Sequence, residues 1–333
     1  MAEPVLQVHD LSVVFQTYEG RYFALNNIDL TISEGEIVGL VGESGCGKST
    51  LALAVMGLLP QIHARVPSGS IMFRGTNLLS KSEKEMEQVR GTHISMIFQE
   101  PLTSLDPLFS IGDQLSEAVR IKLQRAGEKV VSTERIGGRV KSEVVNWMKR
   151  VGLADPESAM ERFPHEFSGG MRQRVMIAMA LAAEPQLMLA DEPTSALDVT
   201  TQVQILRLVK SLVSEVKASV LFISHDLAVI AQIADKVAVM YAGIVAEEAS
   251  VGEIFENPLH PYTQALLSSF PKETEKKKSK LEIIPGSVPN VTHIPTGCPF
   301  HPRCKFVKVV CSKAKPQSRE VSPGHKVACV LFD

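Results

Sequence analysis

Residues Gly42-Glu-Ser-Gly-Cys-Gly47-Lys48-Ser49 fit the pattern G-x4-G-K-[ST] and sit between an apolar run, EIVGLVG, and a helical pattern, KSTLALAVMGLL. A strand, a tight glycine turn and a helix in that order are the context that gives the pattern meaning. Glycines let successive backbone N–H groups close around a phosphate, and the helix N-terminus adds partial positive charge. Lys48 supplies a mobile cation to the β and γ oxygens of a nucleotide, and the Ser49 hydroxyl can ligate Mg2+. The plain alternative is a Gly/Ser turn that only joins strand to helix. Cys46 reads as a small space-filler, with a redox role as its alternative.

The surrounding pattern agrees with an α/β core. Residues 5–15 and 28–32 alternate like half-buried strands, and residues 33–36 (SEGE) form a turn before the buried strand. Three further short apolar runs, ISMIF (94–98), LMLA (187–190) and VLFI (220–223), are bounded by polar residues. Gln99 follows the first, Asp191 and Glu192 the second, and His225 lies just past the third. Strand C-terminal ends are where an open α/β sheet keeps its chemistry. Asp191 is placed to hold a metal, Glu192 to polarise an attacking water, and Gln99 and His225 to reach the water and the γ-phosphate. Between residues 102 and 170 the periodicity is charged and helical, as expected of an inserted helical subdomain.

Composition narrows the function classes. The 333 residues suggest about two domains. The net charge of −2 hides a split: residues 257–333 hold 12 Lys and Arg against 5 Asp and Glu, while residues 1–256 hold 23 against 32. The longest apolar run, Val175 to Ala183, is far short of the ~20 residues that span a bilayer. No positive region followed by an apolar stretch opens the chain, so a cytosolic location with reduced thiols is expected. Aromatic residues do not interleave with the basic tail, which argues against nucleic acid as a partner.

Phe167-Ser168-Gly169-Gly170-Met171-Arg172-Gln173 opens a nearly all-apolar helix, which alone would be an N-cap. Followed by Leu-Ala-Asp191-Glu192-Pro-Thr-Ser195-Ala-Leu-Asp198, it resembles the signature, Walker B and D-loop of the ATP-binding-cassette (ABC) family. With the phosphate loop, Gln99 and His225, every element of that family stands in order across residues 5–256. The resemblance implies a P-loop NTPase fold of the α/β class: a RecA-like core, an antiparallel β subdomain, a helical subdomain at about 102–170, and a small irregular C-terminal extension at 257–333. It implies ATP contacts from Phe15, Gly42, Ser44, Gly45, Cys46, Gly47, Lys48, Ser49, Thr50 and Gln99, with Mg2+ on Ser49, Gln99 and Asp191. Glu192, His225 and Gln99 are the implied catalytic set. In the implied sandwich dimer Ser168, Gly169, Gly170 and Asp198 serve the ATP of the partner subunit. Phe15 is the expected adenine-stacking residue, with Tyr22 and Phe23 as competitors. The signature departs from the commonest form at Phe167, for Leu, and at Met171, for Gln.

The tail places Cys298, Cys304, Cys311 and Cys329 as C-x5-C-x6-C-x17-C. That spacing leaves an iron–sulfur cluster, zinc or unligated thiols open. The runs from Asn257 to Leu267, from Ile284 to Pro289 and from Gly297 to Cys304 resemble the C-terminal extension of oligopeptide/dipeptide importer ATPases. This resemblance implies a [4Fe-4S] site on the four cysteines, with zinc as the alternative, and packing or capping roles for His260 and Tyr262. The expected function is that of an ATP-hydrolysing subunit that powers import of peptides or a related small solute from the cytoplasmic face of the membrane. Its expected partners are a second cassette, identical or homologous, two membrane-spanning permease subunits and an extracellular or periplasmic solute-binding protein. The rivals are a soluble ABC ATPase of translation or DNA repair and an ATPase of iron–sulfur assembly.

Overall fold

Twelve strands are described: β1 (Pro4–Thr17), β2 (Gly20–Ser33), β3 (Ile37–Val41), β4 (Ala64–Phe73), β5 (Thr76–Asn77), β6 (Ile94–Ile97), β7 (Leu187–Asp191), β8 (Ser219–Ser224), β9 (Lys236–Tyr241), β10 (Ile244–Ser250), β11 (Arg319–Ser322) and β12 (His325–Val327). The computed structural model describes residues 3–18, 20–99, 104–127, 138–195, 197–269 and 284–333. The charged stretch 271–280 and parts of the expected helical insertion, 102–103 and 128–137, lie outside them. The chain divides into two compact units. One holds the phosphate loop and comprises Leu6–Thr31, Ile37–Leu79 and Ser224–Asp333; the other holds the carboxylates and comprises Met1–Val5, Ile32–Glu36 and Ser80–Ile223.

In the phosphate-loop unit, β1, β2, β4 and β5 build a sheet of order β2-β1-β4-β5, with β1–β4 and β4–β5 antiparallel. Val8, Leu11, Val13, Leu25 and Ile28 are buried along it, but the expected alternation is broken on β1, where Leu11 to Val14 are all buried and the register against β4 shifts between His9 and Val14. Strand β3 is buried at every position and pairs in parallel with β9, Val38 opposite Lys236 and Val41 opposite Val239. Gly39 is required there, because a β-carbon would lie 2.5 Å from Cγ2 of Ile230 in the covering helix Leu227–Ile233. Antiparallel pairing then runs from β9 to β10, from β10 to β12 and from β12 to β11. Among the described residues after 257, helix Pro261–Ser268 and several short 3-10 turns precede the β11–β12 hairpin, which extends this sheet.

Buried Glu247 on β10 ties that segment down. Its carboxylate accepts the N–H groups of Leu259 (2.7 Å) and His260 (2.9 Å) and lies 2.7 Å from His325 Nε2 on β12. Saturating a buried carboxylate in this way removes most of the cost of burying it. The His260 ring in turn caps helix Pro261–Ser268, its Nδ1 accepting the Tyr262 N–H at 3.0 Å.

In the carboxylate unit, β6, β7 and β8 pair in parallel. Helices Ile111–Arg125, Gly138–Arg150, Gly169–Ala182 and Val199–Val216 accompany them. Helix Gly138–Arg150 buries Val140, Val144, Trp147 and Met148, the one-face spacing of an amphipathic helix. The Arg150 guanidinium covers the Trp147 ring at 3.7 Å.

Complete burial pushes His260 down to about 4, from an ordinary 6.5. As pH falls below 6.5 the unfolded chain therefore takes up a proton that the folded chain refuses, so stability is lost progressively from 6.5 towards 4. The loss should approach roughly 3 kcal/mol. Thermal melts across this range should show a shallower pH slope for His260→Asn, which keeps a capping acceptor and cannot titrate; an unchanged slope would exclude His260 as the source.

Candidate functional site

The phosphate loop leaves β3 at Gly42 and enters helix Lys48–Met56 through Gly47, whose φ is +108°. Two glycines are forced by close approach. A β-carbon on Gly42 would lie 2.1 Å from the Met240 carbonyl oxygen, and one on Gly47 would lie 2.6 Å from that of Ala24. Cys46 is buried, which raises its thiol pKa and suits a space-filler; its Sγ lies 3.9 Å from Lys48 Nζ. Lys48 is only 6% exposed, and its ammonium donates to the carbonyls of Gly42 (2.7 Å) and Glu43 (3.2 Å). Ser44, Gly45 and Ser49 are exposed and Thr50 is half-buried. The loop thus presents small groups and backbone outward, the surface an anion needs.

The aromatic candidates separate. Phe15 and Tyr22 stack on each other, with centroids 5.7 Å apart and planes 13° apart, whereas Phe23 is exposed and lines a small pocket with Gly45 and Gly243. His225 is exposed in this unit, directly before the Asp226 cap of helix Leu227–Ile233.

In the carboxylate unit Asp191 is buried at the end of β7, and Glu192 follows in a left-handed conformation with φ of 46°. The Glu192 N–H donates to the Ile223 carbonyl at 3.0 Å, so the turn is anchored to the neighbouring strand. Gln99 donates its side-chain N–H to Glu192 Oε2 at 3.3 Å, bringing together two residues 93 positions apart. Ser168 caps helix Gly169–Ala182, its Oγ accepting the Met171 N–H at 3.3 Å, and Ser168 and Gly169 are exposed. The unusual Phe167 is buried beneath the Arg162 guanidinium, 4.9 Å above its ring. Asp198 caps helix Val199–Val216 through Thr201, whose backbone and side-chain hydrogen bonds hold its carboxyl below the ordinary range.

The four tail cysteines line one small apolar pocket with Phe300, Phe306 and Leu331. Cys304 Sγ accepts the Phe306 N–H at 3.4 Å and Cys311 Sγ the Lys308 N–H at 3.3 Å. Burial pushes the Cys298 thiol up to about 11 and raises Cys304 and Cys329. Among the described residues no group of three or more His, Cys, Asp or Glu is placed to hold a metal ion. Zinc and a cluster alike therefore have no formed ligand set on the four cysteines among the described residues.

Sequence reasoning missed what touches Glu43. Arg303, beside Cys304, forms a two-pronged ion pair with it, at 2.8 and 3.1 Å, and Tyr262 accepts the Glu43 N–H at 3.1 Å. The only signal was the opposite charge of tail and cassette, which names no pair.

A family model described as ABC transporter matches residues 25–195, and one described as Oligopeptide/dipeptide transporter, C-terminal region, matches residues 246–311. The chain is 44% identical over 331 residues to the Dipeptide transport ATP-binding protein DppD of Bacillus subtilis, covering 99% of this chain and 96% of that protein. It is 44% identical over 328 residues to the Oligopeptide transport ATP-binding protein OppD of the same organism, covering 98% and 89%. Among solved structures, the dimeric ATP-binding cassette MJ0796 bound to ADP and Pi matches with a TM-score of 0.63 at 26% identity, covering 74% of this chain and 98% of that one.

Lys48→Ala removes both the mobile cation and two ties to the loop carbonyls. Affinity for a fluorescent ATP analogue should fall about tenfold or more, since hydrogen bonds to charged groups are worth ~1.5–3 kcal/mol. Unchanged affinity would refute the phosphate-loop assignment.

Proposed function

The chain belongs to the ABC transporter family, and from that premise we propose that it is the ATP-hydrolysing subunit that powers peptide import through separate membrane-spanning subunits. One observation carries the peptide reading: similarity to dipeptide and oligopeptide transport proteins runs the length of the chain, through the C-terminal region as well as the cassette. Among the described residues no helix is long and apolar enough to cross a membrane, so the translocation path is assigned to permease partners. A solute-binding protein completes the importer, and the chain works at the cytoplasmic face.

The roles follow from the chemistry of each unit. In the first, the loop from Gly42 to Thr50 binds the ATP phosphates, Lys48 balances β/γ charge, Ser49 takes Mg2+ and Phe15 is assigned to adenine. His225 is assigned to the γ-phosphate and the attacking water. In the second, Asp191 is the metal-directed carboxylate and Glu192 the general base. Gln99, bonded to Glu192 at 3.3 Å, holds the base and reports nucleotide state to the permease. Ser168, Gly169, Gly170 and Asp198 are assigned to ATP held by the second cassette; ATP closes the pair and hydrolysis reopens it.

We also propose that the four tail cysteines, which line one small pocket, hold a [4Fe-4S] cluster. All four cysteines line one cavity, and Cys304 Sγ and Cys311 Sγ each accept a backbone N–H, the kind of hydrogen bonding that tunes cluster sulfurs. A bound cluster would convert the thiols to thiolates, and the four cysteines would pin an otherwise irregular segment.

Glu192→Gln keeps the Gln99 contact and the phosphate ligands but removes the base. ATP binding should persist, a closed dimer should accumulate in gel filtration with ATP, and phosphate release should drop by ~10²–10⁴-fold; release at the wild-type rate would eliminate Glu192 as base. Anaerobically purified protein should be brown with absorbance near 400 nm, and Cys304→Ser should lose that colour while still binding ATP. A colourless wild-type preparation would overturn the cluster.

A further inference from the structure

Glu43 occupies the first variable position of the phosphate loop, where the motif itself asks for no side chain. Its carboxylate nevertheless takes both prongs of one guanidinium, Arg303 Nη1 to Oε2 at 2.8 Å and Nη2 to Oε1 at 3.1 Å. Arg303 is 260 residues away in sequence and its side chain is 7% exposed. Two further donors are also engaged: Nε donates to the Pro285 carbonyl at 3.0 Å, and Nη1 also reaches the Tyr241 hydroxyl at 3.2 Å. Tyr262 is fully buried, and its hydroxyl accepts the backbone N–H of Glu43. The Glu43 carbonyl meanwhile accepts Lys48. Backbone N–H, backbone carbonyl and side chain of this one loop residue are therefore all fixed, two of the three by the C-terminal segment.

The holding residues are rigid in their turn. Phe300 packs edge-on against Tyr241, with centroids 5.2 Å apart, and against Tyr262 at 5.4 Å. Phe300 lies between Cys298 and Arg303, and Arg303 closes the 3-10 turn His301–Arg303 that runs into Cys304. A buried guanidinium without its carboxylate is costly, so Arg303 and Glu43 constrain each other.

We propose that Arg303 and Tyr262 are positioning residues for ATP: by holding Glu43 they set the course of the phosphate loop, and they make nucleotide affinity depend on the folded C-terminal extension. The proposal rests on the reading that residues 42–50 bind ATP. Neither residue touches the nucleotide, so its effect is on affinity and passes through Glu43.

The test is a double-mutant cycle on the full chain, with a fluorescent ATP analogue for affinity and phosphate release at saturating ATP. Arg303→Met should weaken analogue binding about tenfold while phosphate release at saturation stays within about twofold. Arg303→Lys, which keeps the charge but not the fork, should fall between. In a Glu43→Gln background the same Arg303→Met change should cost less than about threefold. A folded Arg303→Met protein with wild-type affinity, or an equal loss in both backgrounds, would overturn the proposal. Tyr262→Phe, which removes one hydroxyl, serves if Arg303→Met does not fold; it should also weaken binding, and unchanged affinity would count against the proposal. Failure of the wild-type chain to bind the analogue would instead sink the ATP reading beneath it.

Discussion

Everything chemical in the phosphate-loop unit depends on a turn with no room for a side chain at two of its positions. Gly42 leaves a fully buried strand directly against the Met240 carbonyl, and Gly47 starts a helix against the Ala24 carbonyl. Neighbouring backbone thus shapes the loop from two strands, β9 and β2, so its N–H groups are directed by the sheet. Lys48 then folds back onto the loop's own carbonyls. A pre-shaped set of donors does not have to be ordered when an anion arrives, and that is where such a turn gains affinity.

The parts of this arrangement visible in the sequence are the local ones. A glycine motif between a buried run and a helix is a contiguous signal, and the apolar runs before Gln99, Asp191 and His225 became β6, β7 and β8. Ser168 is legible as a cap for the same reason, since a cap bonds within three residues of itself. What stayed hidden is long-range. Nothing in the short, polar segments Arg319–Ser322 and His325–Val327 alternates strongly enough to announce strands, and their pairing onto β10 is set by tertiary contact. The Arg303–Glu43 pair spans 260 residues and leaves no periodic trace. The choice between zinc and a cluster was not legible either, because spacing limits which ligands are near in sequence and says little about where thiols point.

Charge separation along the chain acquires a physical meaning at the same contacts. Cations of the tail meet acids of the cassette, Arg303 on Glu43 and Lys326 on Glu248 at 3.6 Å, and the His325 ring hydrogen-bonds Glu247. Glu247 and Glu248 are buried, where an unpaired carboxylate would be strongly disfavoured. The extension is thus part of how the strand beside β9 is stabilised, and the cysteine pocket grows from the same packed aromatic group, Tyr241, Tyr262 and Phe300, that borders the loop.

Together these parts are proposed to form the motor subunit of a peptide importer. Purification of the chain in mild detergent from membranes of the cells that make it, followed by identification of its companions, tests that claim most directly. The account predicts two integral membrane subunits and a second cassette in fixed ratio; recovery with ribosomes or iron–sulfur scaffold proteins, and no integral membrane subunit, would contradict it.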